Sequence, residues 1–147
     1  MTSEAVWECE RSVDVDVPVS FAWQYMTDVR NWNDPPAQFT LTGPFAPGTR
    51  GTTRMPSQPD RDWTIQHVTP GRAYVLHTPL SERAFILFHW RFDPLSGQRT
   101  RLTQRVELCG EQAGQYSSDI QSAFEPQLES GMRRIAGMMM TRAAQHP

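Results

Sequence analysis

Four histidines, His67, His77, His89 and His146, are the side chains of this 147-residue chain that titrate closest to neutral pH, so proton transfer is sought there first. In "DWTIQHV", His67 shares the parity of Trp63 and Ile65. Strand alternation therefore predicts that it points inward, beside Trp90 and Gln104. Three roles stay open for such a residue: a hydrogen-bonded core group, a ligand contact or an acid–base group. His89 sits in "RAFILFHWRF". There Ala84, Ile86, Phe88, Trp90 and Phe92 hold one parity without a break, so His89 falls on the other and is expected on the outer face. His77 is ambiguous by parity and His146 is terminal.

Other chemistries lack their residues. All 14 basic side chains are arginine, which removes a Schiff-base lysine and the lysine of a nucleotide-binding phosphate loop. "PGTRGTT" superficially resembles such a loop but has neither that lysine nor a following helix, and reads as a turn into a strand. There is no G-x-S-x-G, H-E-x-x-H or paired C-x-x-C, so no metal site and no cofactor are expected. Cys9 is assigned to an inward and Cys109 to an outward parity, a geometry that forbids a disulfide between them.

The totals describe one globular domain over residues 1–147, with 38% hydrophobic and 20% charged residues. A net charge of −2 is poorly suited to neutralising phosphates, so no nucleic-acid partner is expected. The first ten residues carry no leader pattern, and no apolar run reaches the roughly 18 residues that span a bilayer. With two cysteines, the expectation is a cytoplasmic protein without membrane insertion.

The positioning elements follow from periodicity. "VWECERSVDVDV" alternates as a half-buried strand, interrupted on its apolar face by Arg11. Pro18 opens a helix with an apolar stripe of Phe21, Tyr25 and Val29, which ends by Pro35 and Pro36; Trp32 is expected to fold back onto the sheet. Residues 39–110 read as about six short strands joined by turns, hence antiparallel neighbours. The final segment, roughly 119–145, returns to helical period through Phe124, Leu128, Met132, Ile135 and Met139. The helix proper is expected to begin near Ser122 to Glu125, after a looser lead-in. On the strand 99–108, Leu102, Gln104, Val106 and Leu108 face in. The outward Arg101 and Arg105 are expected to pair with Glu8 and Glu10 of the first strand. Phe85, Leu87 and Val75 form an outer apolar patch, and a homodimer through this surface is expected.

Three stretches carry a family resemblance: the strand–proline–helix opening "VDVDVPVSFAWQYMTDVRNW", the turn "LTGPFAPGTRGT" and the hairpin "DWTIQHVTPGRAYVL". With the element order, they make nearly the whole chain resemble the helix-grip superfamily. This superfamily comprises the START-related, Bet v 1-like (SRPBCC) proteins and includes polyketide cyclase/dehydratase-like members. The resemblance implies an α+β fold: a curved antiparallel sheet of about seven strands wrapped round a long C-terminal helix, with an N-terminal helix after the first strand. It also implies a cavity for a hydrophobic, aromatic or lipid-like ligand. The expected lining is Trp63, Ile65, His67, Phe88, Trp90, Leu102, Gln104, Val106, Phe124, Leu128, Met132 and Ile135. Inward polar groups are few: Thr53, His67, Thr78 and Gln104. Binding without turnover is the leading expectation. The resemblance also allows a cyclase/dehydratase-like enzyme, with His67 or Tyr74 moving a proton and Arg54 or Gln104 polarising a carbonyl, or a chaperone–cochaperone-like interaction module.

Overall fold

Alternating apolar and polar residues bury one face of each strand, and the turns between them are too short for crossovers, so neighbours pair antiparallel. A computed structural model describes residues 5–32 and 36–145. Its strands are β1 (Ala5–Val15), β2 (Gln38–Leu41), β3 (Arg50–Arg54), β4 (Arg61–Thr69), β5 (Ala73–Ser81), β6 (Ala84–Ser96) and β7 (Arg99–Cys109). They form one antiparallel sheet in the order β1-β7-β6-β5-β4-β3-β2. The first strand thus closes onto the last, as a sheet rolled round a helix requires.

Helix α1 (Val19–Met26) starts directly after Pro18 and buries Ala22, Tyr25 and Met26. A 3-10 turn, Val29–Asn31, follows, and Trp32 folds back onto the sheet: its indole N–H donates to the Met26 carbonyl at 2.8 Å, and its ring lies 5.4 Å from that of Trp63. Pro35 and His146 lie outside the described residues.

The C-terminal helical region differs from the sequence expectation. Helix α2 (Ser117–Phe124) stands apart from α3 (Leu128–Gln145), and α3 begins at Leu128 rather than near Ser122 to Glu125. Pro126 has no N–H to continue the ladder, and the break falls around it, where the Gln127 amide donates to the Phe124 carbonyl at 3.1 Å. The stripe itself is real: Leu128, Met132 and Met139 are buried, joined by Ala136.

On the outer face β1 and β7 are laced by ion pairs. Arg105 pairs with Glu8 as expected, and Glu10 lies opposite Arg105 in the register. Arg101, however, reaches Asp14 at 2.9 Å, because Asp14 is its partner in the register. His89 is outside as expected and pairs with Glu107; His77 also faces out, stacked on Phe85. Cys9 and Cys109 are buried and free, and burial pushes the Cys109 thiol up. Among the described residues, no helix is long and apolar enough to cross a membrane.

Candidate functional site

Between the concave sheet and helices α2 and α3 lies a cavity of about 640 Å³. Register fixes its floor in rows. Gln104, Trp90 and Tyr74 stand side by side on β7, β6 and β5, and the next row carries Phe88 and Leu76. Farther along are Ile86 and Thr78, then Trp63 and finally Arg61 at the start of β4. Phe124, Leu128, Met132 and Ile135 close the helical side. Trp32 and Phe39, in edge-to-face contact at 5.5 Å, extend the aromatic wall.

Trp63 lies flat because of the residue opposite. Gly51 pairs with it across β3 and β4, and a Cβ there would stand 2.2 Å from the indole. The indole N–H donates to the Thr53 hydroxyl at 3.1 Å, which fixes the ring's direction.

His67 is not in the cavity. A β-bulge between Ile65 and His67 inserts one residue against β5, so that Val68 takes the inward position opposite Tyr74 and His67 turns out opposite Val75. There it is exposed and shares a hydrogen bond of 3.2 Å with Thr69. Ile65, Leu102 and Val106 do face inward but are fully enclosed by protein in the filled core, and they do not line the cavity. Arg54 is exposed and paired with Asp60. The other expected residues, Trp63, Phe88, Trp90, Gln104, Phe124, Leu128, Met132 and Ile135, do line it, as do Tyr74, Thr53 and Thr78.

Tyr74 is unusual. Its ring is hemmed in by Trp23, Phe45, Trp90 and Phe92, at centroid distances of 6.1, 4.9, 6.5 and 6.0 Å. Its hydroxyl is buried with no hydrogen-bond partner. Desolvation raises the phenol far above its ordinary value, so it stays neutral and can donate a hydrogen bond but not act as a ready base. Among the described lining residues there is no histidine, cysteine, aspartate or glutamate; the charged ones are Arg61 and Arg134. Nor do three His, Cys, Asp or Glu side chains gather anywhere among the described residues to hold a metal. The site can therefore enclose an apolar molecule and donate hydrogen bonds to it. It offers little for taking a proton away.

A curved antiparallel sheet gripping C-terminal helices over an aromatic-walled cavity defines the helix-grip class. Within it, the chain belongs to the family described as polyketide cyclase / dehydrase and lipid transport, whose model matches residues 6–143. Among curated proteins no sequence match was found. Solved structures agree on the fold. Norcoclaurine synthase from Thalictrum flavum, solved with dopamine and hydroxybenzaldehyde, superposes with a TM-score of 0.73 at 9% identity, covering 99% of this chain and 90% of that one. The Zhui aromatase/cyclase from Streptomyces sp. R1128 gives 0.72 at 16% identity, covering 93% and 95%. A protein from Arthrobacter aurescens gives 0.69 at 16%, covering 95% and 91%. At such identities the likeness is one of fold.

Proposed function

We propose that this protein binds an elongated hydrophobic or aromatic small molecule in the cavity between sheet and helices, and that Tyr74 donates a hydrogen bond to an oxygen of that molecule. The observation that carries this reading is the cavity itself, about 640 Å³ walled by Trp32, Trp63, Phe88 and Trp90. Small-molecule sites have this size and this balance of apolar wall with few polar groups. A buried hydroxyl without a partner costs roughly 1–3 kcal/mol, a cost that a ligand carbonyl or hydroxyl would offset.

A cyclase-like enzyme is the second reading, favoured by the same hydroxyl. A neutral phenol beside an aromatic wall could polarise a carbonyl while the cavity folds a reactive chain, and one structural neighbour is an aromatase/cyclase. His67 has no part in it, and the lack of a base among the described lining residues favours binding over proton abstraction.

The test is titration with Nile red, a neutral apolar fluorophore, alongside native mass spectrometry of the purified protein. Saturable binding at one equivalent is expected, lost in Ile135→Trp, which places an indole in the cavity while leaving the fold's melting transition in place. Absence of saturable binding by the wild type, or equal binding by the filled variant, would overturn the reading.

A further inference from the structure

Most arginines of this chain are matched to carboxylates. Arg30, Arg54, Arg83, Arg91, Arg99, Arg101, Arg105 and Arg133 each have an Asp or Glu within 4.0 Å. Arg61 is different. It opens β4 on the parity of Trp63, lines the cavity, and has no ion pair or side-chain hydrogen bond to a described residue. Its sequence neighbours do not serve it: Asp60 is held by Arg54 at 3.6 Å, and Asp62 accepts from the Thr52 hydroxyl at 3.0 Å on the other face. No described lining residue carries a negative charge. Arg61 is itself exposed, so its guanidinium is reachable from solvent as well as from the cavity.

The position matters as much as the charge. Counted along the sheet beneath the cavity, Arg61 lies four residues of β4 from Ile65, which faces Leu76, and Leu76 lies two residues of β5 from Tyr74. Six residues of strand span about 20 Å. One end of the cavity floor is thus cationic, the other carries the Tyr74 hydroxyl beside Gln104 and Trp90, and the rows between are apolar except for Thr78.

We propose that the ligand is an amphipathic carboxylate, held with its anionic head against Arg61 and its apolar body along the floor toward Trp90. This rests on the reading that the cavity binds a hydrophobic molecule and adds the charge and direction of that molecule. A guanidinium matches a carboxylate with two parallel charge-assisted hydrogen bonds, which an uncharged isostere does not reproduce.

The experiment compares 1-pyrenebutyrate with 1-pyrenebutanol, matched probes that differ in head group, by quenching of the tryptophan fluorescence of the wild type, Arg61→Gln and Arg142→Gln. Arg142 lies outside this cavity and serves as a control for general surface charge. The expected result is a preference of about tenfold for the carboxylate in the wild type and in Arg142→Gln, an increment typical of one charge-assisted pair. Arg61→Gln should abolish the preference while binding the alcohol as the wild type does. Equal affinity of the wild type for the two probes, or a preference that survives in Arg61→Gln, overturns the proposal and leaves the binding cavity standing. If neither probe binds, the cavity reading falls with it.

Discussion

The space under the sheet has two ends built from the same alternation, and only one is filled. At the filled end α1 lies across the sheet. Ala22, Phe92 and Leu102 have no exposed surface, Val15 and Val17 almost none, and Trp23 meets Tyr74 and Phe92 edge-on. At the other end α1 supplies only its last residue, Met26, and the rest of the cover is α2 and the first turns of α3, broken at Pro126; there Phe88, Phe124 and Ile135 remain half-buried around the cavity. Side-chain parity thus decides which residues leave water. Whether they then meet protein or an empty volume depends on a second layer that the strand sequence does not encode.

Truncation at the two ends should separate them most sharply. Leu102→Ala, in the filled end, is expected to cost about 2–5 kcal/mol, because the surrounding core cannot close over the void. Ile135→Ala, on the cavity wall, should cost less than about half of that, since part of its side chain faces no protein. Urea unfolding of both variants measures the difference, and equal losses would mean that the two ends are packed alike. Tyr74 stands on the boundary. Tyr74→Phe should leave stability unchanged or raise it by up to about 1 kcal/mol, because the lost hydroxyl has no partner. The same change should weaken an oxygen-bearing ligand about five- to tenfold, and a drop in stability instead would reveal a hydrogen bond in the free protein.

The smallest effect belongs to the outer face, which neither end shares. The Arg101 hydrogen bond, opposed by desolvation and helped by the charges of Arg101 and Arg99, holds the Asp14 carboxyl below its ordinary value. Its contribution is therefore fully present above the unfolded carboxyl's pKa near 4 and is lost as pH falls through the lower folded value. Asp14→Asn should cost only about 0.2–1 kcal/mol at neutral pH, as exposed pairs do. The gap from wild type should close on acidification. A gap that widens toward acid would reverse the sign of that linkage.

Much of this was legible in the chain itself, for identifiable reasons. Between Ala84 and Phe92, and between Leu102 and Leu108, the register runs without a bulge, so alternation places every one of those side chains on the right face. Alternation also places His67 inside, and there it fails, because the bulge before it has no glycine or proline to announce it. Ile65, Leu102 and Val106 show a different limit: parity reports the face and not the depth. Pro126 is visible as a break, yet nothing local says that the segment before it folds as a separate helix. Arg61 carries a signal that could have found it, the parity of Trp63 one step earlier, but it is hidden by starting the strand at Asp62.

Gly51 contributes no side chain to the cavity, and yet it sets the bore. The indole of Trp63 can lie against the sheet only because the facing strand has nothing there. A single methyl at that point, 2.2 Å from the ring, would have to lift it by about 1.5 Å to reach an ordinary carbon–carbon separation. Lifted off the sheet, the ring moves toward the cavity that it lines. If the proposed binding role holds, relatives of this chain with alanine or serine at the equivalent position would admit only slimmer molecules, selected by a residue that never touches them.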